Sequence, residues 1–173
     1  MALVILIGAS GAGKTTLAKA FAARHPDLAD VLFFDSIGVP PPERMIAEFG
    51  SGEAWQRAMT FRWLADIAGR LRDGRSILFE GQTRACFLAE AAAAAGIDDY
   101  RLILVDCNDA TRARRLREER GQPELADPQM MRWAAWLRDE AKREGHAILD
   151  TTALSVDEAV AAVHALGFCG GEG

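Results

Sequence analysis

Short apolar runs alternate with longer amphipathic stretches along the whole sequence. Each run is continuous in valine, isoleucine, leucine or phenylalanine, which is typical of parallel strands covered on both faces. The runs predict strands at Leu3–Ile7, Val31–Phe34, Ser76–Glu80, Arg101–Asp106 and Ala147–Leu149. The stretches between them predict helices at Lys14–Arg24, Pro41–Phe49, Glu53–Arg72, Arg84–Ala95, Ala110–Arg120, Pro128–Glu144 and Val156–Leu166.

This alternation predicts an α/β fold, a three-layer, doubly wound sandwich around a parallel five-stranded sheet. The chain has 173 residues, of which 50% are hydrophobic, so we expect a single domain over residues 1–173. Glycines follow several helical stretches, where a left-handed residue would close the helix, at Gly74, Gly96, Gly145 and Gly167. The final GGEG has nothing to bury and is expected to fray.

Charge and cysteine content argue against several classes of protein. The formal net charge is −5, which argues against a protein that coats nucleic acid. Three widely spaced cysteines without a CxxC pair argue against a disulfide framework or a zinc site. The apolar start MALVILIG is too short to cross a bilayer and has no basic leader. We therefore expect a soluble, cytoplasmic protein.

The loop after the first predicted strand carries the most specific motif. GASGAGKTT, residues 8–16, matches the phosphate-loop pattern GxxxxGK[ST] in the required strand–loop–helix context. Glycines there let backbone N–H groups converge on phosphate oxygens, and the helix N-terminus adds positive potential. Lys14 would bridge the terminal phosphates and the Thr15 hydroxyl would bind Mg²⁺. The residues expected to bind the nucleotide are Gly8, Ser10, Gly11, Ala12, Gly13, Lys14, Thr15 and Thr16.

Beyond this loop, the chain resembles the P-loop small-molecule kinases, the group of adenylate, nucleoside, shikimate, gluconate, adenylylsulfate and chloramphenicol kinases. The GTPase signature NKxD and the transporter signature LSGGQ do not occur. The resemblance covers nearly the whole chain in element order and is motif-specific at four places. It implies the sheet order 2-3-1-4-5, ATP and Mg²⁺ as cofactors, a small-molecule acceptor and a helical lid.

The second apolar run ends on Asp35, before a proline-rich loop. In the resembling kinases that phosphorylate a hydroxyl, an aspartate at this position points to the acceptor oxygen. It acts as a base for the hydroxyl proton, and it also aligns the oxygen for its attack on the phosphorus. Nucleoside monophosphate kinases need no such base, because their acceptor is already anionic. Asp35 therefore favours a hydroxyl acceptor. The alternative is that Asp35 and Ser36 only close the turn.

The third run, in SILFEGQTR, ends on Glu80 and leads to Arg84. This stretch resembles the DGFPR motif of adenylate kinases, which implies that Glu80 serves Mg²⁺ and that Arg84 clamps an anionic acceptor or the transferred phosphoryl group. Thr83 replaces the proline of that motif, which weakens the case for a monophosphate acceptor. Asp106, at the end of LILVD, is by local pattern an equally good metal ligand, and only the resemblance favours Glu80.

An arginine-rich stretch, DATRARRLREERGQPELAD, follows the fourth run. The resemblance implies that Arg112 lies beside the nucleotide base and that Arg120 belongs to a lid over about residues 112–127, whose closure excludes water. Transferred phosphoryl charge calls for at least one such arginine. Because Glu118 and Glu119 are interleaved, a solvated helix face is the alternative. ILDTT, which begins at residue 148, resembles the loop on the adenine side of these kinases.

Residues 36–73 are expected to cover the acceptor, since Trp55, Trp63 and several arginines there could grip a ring or an anion. The alternative is that Trp55 and Met59, four positions apart, are core residues.

Taken together, the motifs predict an ATP-dependent phosphotransferase that moves the γ-phosphoryl group of MgATP to a small-molecule acceptor. The predicted catalytic residues are Lys14, Asp35, Arg84 and Arg120, Arg112 would contact the nucleotide, and Thr15 and Glu80 would hold the metal. The alternatives are a nucleoside monophosphate kinase, a nucleotide-binding regulatory ATPase and a kinase of nucleic-acid ends. The sequence does not identify the acceptor.

Overall fold

The computed structural model describes residues 1–169, and the predicted fraying of the final GGEG lies outside the described residues. Five strands form in residues 1–169: β1 (Leu3–Ile7), β2 (Asp30–Phe33), β3 (Ile77–Glu80), β4 (Arg101–Asp106) and β5 (Ala147–Asp150). The same part of the chain contains seven α-helices: α1 (Lys14–Arg24), α2 (Pro42–Phe49), α3 (Gly52–Arg72), α4 (Ala85–Ala95), α5 (Asp109–Arg114), α6 (Pro128–Glu144) and α7 (Val156–Gly167).

The strands form one parallel sheet in the order β2-β3-β1-β4-β5. This confirms the predicted α/β class and the strand order that the resemblance implied. The register pairs Leu6 with Glu80 and Phe33 with Glu80, so β1, β2 and β3 end side by side. Loops at the carboxyl edge of such a sheet meet where the strand order reverses, which is where ligands bind in doubly wound folds.

Both faces of the sheet are buried, as the continuous apolar runs predicted. Along β1, Leu3, Ile5 and Ile7 point to one core, while Val4 and Leu6 point to the other. The first core contains residues of α3, α4 and α6, and the second contains residues of α1 and α7. Trp55 is 7% exposed within the first core, in line with the core alternative for that residue.

Helix ends mostly follow the chemistry of the sequence. Asp127 caps α6 by accepting from Met130 N at 2.7 Å, with Pro128 in the first helical position. Gly145 closes the same helix at φ 74°. Gly167 differs from the prediction, because α7 runs through it. A Cβ there would lie 2.7 Å from Val4 Cγ2, so this glycine serves close helix–sheet packing.

Two boundaries near the site also differ from the prediction. β2 ends at Phe33, and Phe34–Ile37 forms a 3₁₀ turn, so Asp35 lies in a turn beyond the strand. α5 ends at Arg114 and continues as a π turn over Arg115–Glu119, followed by a 3₁₀ turn at Pro123–Leu125. Among the described residues, no helix combines the length and apolar character that a membrane crossing needs.

Candidate active site

The phosphate loop, residues 8–13 between β1 and α1, has its carbonyl oxygens occupied by donors of the protein. Each carbonyl from residue 9 to residue 13 has a donor within reach. Arg112 Nη1 donates to Ser10 O at 2.9 Å, and Arg115 Nη1 donates to Ala12 O at 3.2 Å. The first N–H groups of α1 have no partner within the helix. Apart from Ala12 N, which donates to Ala9 O at 3.3 Å, the backbone N–H groups of the loop can therefore serve phosphate oxygens.

Glycine is required where this loop touches the elements behind it. A Cβ on Gly8 would lie 2.2 Å from Val105 O in β4. Gly11 has φ 78°, and a Cβ there would lie 2.9 Å from Leu116 Cγ. A side chain at either position would push the loop away from its support.

A buried ion-pair network supports the loop from beneath. Arg112 Nη2 lies 2.5 Å from Asp106 Oδ1, and Arg138 Nε lies 2.5 Å from Asp106 Oδ2. The side chain of Arg112 is 0% exposed. Its guanidinium thus lies under the loop in this structure, instead of in the predicted position beside a nucleotide base.

Thr151, just after β5, connects the loop to β4 and to the arginine-rich segment. Its Oγ1 lies 3.0 Å from Ala12 O and 3.0 Å from Asp106 O and can donate to either. It also accepts from Arg115 Nη1 at 2.9 Å. This buried hydroxyl fixes the ILDTT stretch against the back of the loop.

Lys14, Thr15 and Glu80 converge at the end of β3. Thr15 Oγ1 donates to Glu80 Oε2 at 3.3 Å, and Lys14 Nζ lies 3.9 Å from Glu80 Oε1. Lys14 Nζ also donates to Ala9 O at 3.4 Å. Lys14 and Glu80 are each only 7% exposed. The structure thus brings three predicted site residues together.

Burial has the largest effect on the pKa of both Lys14 and Glu80. It lowers the pKa of Lys14 below 10.5, and the neighbouring charges of Arg120 and Arg112 lower it further, while Glu80 opposes the shift. Burial also raises the pKa of Glu80 above 4.5, against the opposing effect of Lys14 and the Thr15 hydroxyl. Added phosphate charge would stabilise the protonated lysine, and a bound cation would stabilise the glutamate anion.

The two carboxylates that the sequence could not separate have different surroundings. Both oxygens of Asp106 accept from guanidinium groups, and the residue is 5% exposed. Glu80 instead faces the metal-binding hydroxyl expected of the motif, Thr15. Hard oxygen donors of this kind suit Mg²⁺, which takes one or two protein ligands together with phosphate oxygens and water. The geometry therefore favours Glu80.

The turn that carries Asp35 is fixed from below. Phe34 is 2% exposed, and its carbonyl accepts from Trp63 Nε1 of α3 at 3.1 Å. A Cβ on Gly81 would lie 2.7 Å from Phe34 Cβ, so this glycine lets the turn approach the end of β3. Asp35 itself is exposed, and its charge acts on the pKa of both Lys14 and Glu80.

Arginines border the phosphate loop on its open side. A cavity of about 200 Å³ over the loop is lined by Lys14, Thr15, Thr16, Arg115 and Arg120 among others. Arg120 is exposed and has no ion-pair partner among residues 1–169. Its charge acts on both Lys14 and Glu80, which places it beside the predicted phosphate site.

A second groove adjoins the loop on the α7 side. It has a volume of about 290 Å³ and is lined by Leu17, Leu154, Val156 and Arg114 among others. Apolar side chains and a guanidinium plane are the groups that hold a nucleobase. Arg114, and not the buried Arg112, lines this groove.

A larger cavity, the side cavity, opens between the start of α3, the β3–α4 connection and the start of α6. Its volume is about 450 Å³. Its wall consists of Gly52, Glu53, Gln56, Gln82, Arg84, Leu125, Asp127, Gln129, Met130 and Trp133. Ser10 Oγ of the phosphate loop donates to Gln82 Oε1 at 3.0 Å, so the side cavity adjoins the loop. Arg84 lies in this wall and pairs with Glu53 at 3.0 Å.

Several residues of the site were not among the predicted ones. Gln82 links the side cavity to the loop. Arg115 and Thr151 bind carbonyl oxygens of the loop and contact each other. Arg138 donates to the Asp106 carboxylate. Gln82 and Thr151 lay within motifs that the sequence did reveal. Arg138 gave no signal, because its contact with Asp106 spans 32 residues.

Sequence comparisons give no relative. No protein-family description matches the chain, and no curated protein matches its sequence.

Solved structures do match. A shikimate kinase from Acinetobacter baumannii, in complex with shikimate, has a TM-score of 0.66 at 16% identity, covering 95% of this chain and 92% of that one. A gluconokinase from Sinorhizobium meliloti 1021 has a TM-score of 0.64 at 17% identity, covering 95% and 90%. A sugar kinase from Janibacter sp. HTCC2649 has a TM-score of 0.72 at 14% identity, covering 96% and 94%. The chain therefore has the fold of the P-loop small-molecule kinases.

Proposed function

We propose that this protein is an ATP-dependent phosphotransferase that moves the γ-phosphoryl group of MgATP to a hydroxyl of a small molecule. The observation that carries the proposal is the cluster of Lys14, Thr15 and Glu80 beside the phosphate loop, near enough to Asp35 for its charge to act on the pKa of both Lys14 and Glu80. The resemblance of the fold to kinases that act on hydroxyl-bearing compounds supports it.

The residues fit MgATP in distinct ways. The loop N–H groups and Lys14 would hold the phosphates, and the groove lined by Leu17, Leu154 and Arg114 would hold the base. Thr15 Oγ1 and the Glu80 carboxylate would hold Mg²⁺, which supplies charge neutralisation to the phosphates when bound.

At the acceptor end, Asp35 would accept the proton of the attacking hydroxyl and align its oxygen. Arg120 would neutralise the charge that develops on the transferred group, and the segment over residues 112–127 would close over it as a lid. The helices of residues 36–73 would cover the acceptor. Arg84 would act at the side cavity, since its guanidinium lies in that wall.

Untargeted mass spectrometry tests this function. The protein is incubated with MgATP and a deproteinised cell extract, and the metabolites that gain one phosphoryl group are identified. We expect a phosphorylated alcohol or sugar, absent with Lys14→Met. A nucleoside diphosphate as the product would instead identify a monophosphate kinase. ATP binding without any product would contradict the proposal.

A further inference from the structure

The wall of the side cavity carries more negative than positive charge. Its charged side chains are Glu53, Asp127 and Arg84, two carboxylates against one guanidinium. The helix N-termini that border the cavity are those of α3 and α6, and each already has a carboxylate of its own, Glu53 in the first turn of α3 and Asp127 as the cap of α6. The negative charges at these two helix ends oppose the binding of a further anion there.

Arg84, the cation of this wall, is paired with a carboxylate and stacked among aromatic rings. Its Nη2 donates to Glu53 Oε2 at 3.0 Å. Its guanidinium carbon lies 5.6 Å from the ring centre of Phe87, 5.8 Å from that of Trp133 and 6.0 Å from that of Trp136. A carboxylate or phosphate on Arg84 would have to displace Glu53, or would bring a further negative charge next to it.

The remaining polar groups of the wall are neutral. Gln82 Oε1 accepts from Ser10 and Gln82 O accepts from Gln56 Nε2 at 2.6 Å, which leaves Gln82 Nε2 as a donor and Gln56 Oε1 as an acceptor. A hydroxyl group, which both donates and accepts, matches such a set.

The side cavity adjoins the phosphate loop through the Ser10–Gln82 bond, so a compound in it lies beside the predicted phosphoryl site. From these observations we infer that the acceptor is a neutral, hydroxyl-bearing compound, and that the Glu53–Arg84 pair excludes carboxylate and phosphate acceptors. This inference rests on the proposed function and narrows its substrate class.

Probe pairs that share a skeleton and differ in charge test the inference: glucitol and gluconate, methyl quinate and quinate, uridine and uridine 5′-monophosphate. Binding to the full chain without nucleotide is followed by tryptophan fluorescence, and transfer is followed with MgATP. Glu53→Gln releases Arg84. Glu90→Gln is the matched control, because Glu90 pairs with Arg57 at 2.6 Å, is similarly exposed and lies outside the side cavity.

We expect the wild type to bind the neutral member of a pair about tenfold more tightly than the anionic one. Glu53→Gln should strengthen binding of the anionic member about tenfold, and Glu90→Gln should leave both affinities unchanged. Preference of the wild type for an anionic member, or failure of every neutral member to bind, would overturn the inference.

Different results would contradict the proposed phosphotransferase function and the inferred preference for a neutral acceptor. Neutral-selective binding without transfer from MgATP would contradict the phosphotransferase and leave the inference standing. Efficient phosphorylation of gluconate, quinate or uridine 5′-monophosphate by the wild type would support the phosphotransferase and overturn the inference.

Discussion

At the scale of single residues, two buried carboxylates at the ends of β3 and β4, the strands on either side of β1, differ in the groups they contact. Glu80 is buried beside a lysine and a hydroxyl, and burial raises its pKa. Asp106 is buried between two guanidinium groups. Glu80 is the carboxylate that we propose for the metal ion, whereas Asp106 balances the charge of the arginines behind the phosphate loop. The two isosteric substitutions should therefore behave differently.

Glu80→Gln should lower Mg²⁺-dependent turnover by about 10²-fold or more at a smaller cost in unfolding free energy than Asp106→Asn, because burial already disfavours the charged form of Glu80 and its single cationic partner lies 3.9 Å away. Asp106→Asn should instead cost about 3–5 kcal/mol of unfolding free energy, since it leaves Arg112 without its counter-charge in the interior. Denaturant unfolding and ATP turnover, measured on both variants, check this. Equal effects of the two substitutions would refute the assignment.

Asp35→Asn tests the proposed base. We expect ATP affinity to stay nearly intact while turnover falls by about 10²–10⁴-fold, because the phosphate loop does not need Asp35 and the attacking hydroxyl does. Nucleotide titration and steady-state kinetics on the same preparation give both values. Ser36→Ala, in the same turn, is the control. Unchanged turnover in Asp35→Asn would make Asp35 a turn residue only.

The sequence reveals residues whose role follows from a local motif, and it does not reveal those defined by distant contacts. Lys14 and Thr15 were predicted from the phosphate-loop motif and Glu80 from the resemblance to the kinases, and the structure brings them together. The burial of Arg112 could not be predicted, because helical spacing does not say which face of α5 meets the loop. The pairing of Arg84 with Glu53 spans 31 residues, so no local pattern could predict it.

At the scale of elements, local chemistry determines most helix ends near the site. α7 begins with a capping box, in which Ser155 Oγ accepts from Glu158 N at 3.2 Å and Glu158 Oε2 accepts from Ser155 N at 2.8 Å. This helix supplies Val156 to the proposed base groove. Its first turn is thus part of the support of the nucleotide site.

The capping box has a pH signature. Hydrogen bonds from the Ser155 hydroxyl, and then from its backbone N–H, lower the pKa of Glu158 below 4.5. The ionised carboxylate therefore stabilises the fold above pH 4.5, and this contribution is lost as the pH falls through the folded-state pKa. Glu158→Gln should melt below the wild type at pH 7, and the difference should shrink as the pH falls below 4.5.

Thermal unfolding between pH 7 and about pH 3 measures this difference. Glu43→Gln is the control, since Glu43 also lies in a first helical turn, that of α2, whose cap makes no side-chain bond. A difference for Glu158→Gln that does not change with pH would contradict the account.

Element positions were predictable because apolar runs and caps are local signals. The exceptions have physical causes. The 3₁₀ turn at Phe34–Ile37 forms because Phe34 is held by Trp63 from α3, a contact between distant residues. The π turn at Arg115–Glu119 accompanies contacts of Arg115 with Ala12 and Thr151, which no helical pattern encodes.

At the scale of the whole molecule, the predicted functional groups gather at the carboxyl edge of the sheet, where β1 and β3 lead into the phosphate loop and the Glu80 turn. The net charge of −5 is distributed unevenly, since Arg115 and Arg120 line the cavity over the phosphate loop at the same edge. The molecule therefore has basic side chains beside the predicted phosphate site and a side cavity whose wall carries a net negative charge. That contrast suits transfer of a charged group to a neutral compound.

In the proposed reaction the γ-phosphoryl group of ATP is transferred to a small molecule and not to water. The most direct measurement uses ATP labelled at the γ-phosphoryl group, with deproteinised extract as the source of acceptor, and follows the label into organic products and into inorganic phosphate. We predict that most of the label enters a small organic molecule, and that the transfer depends on extract and is absent in Lys14→Met. Label that appears only as inorganic phosphate, at the same rate with and without extract, would contradict the claim.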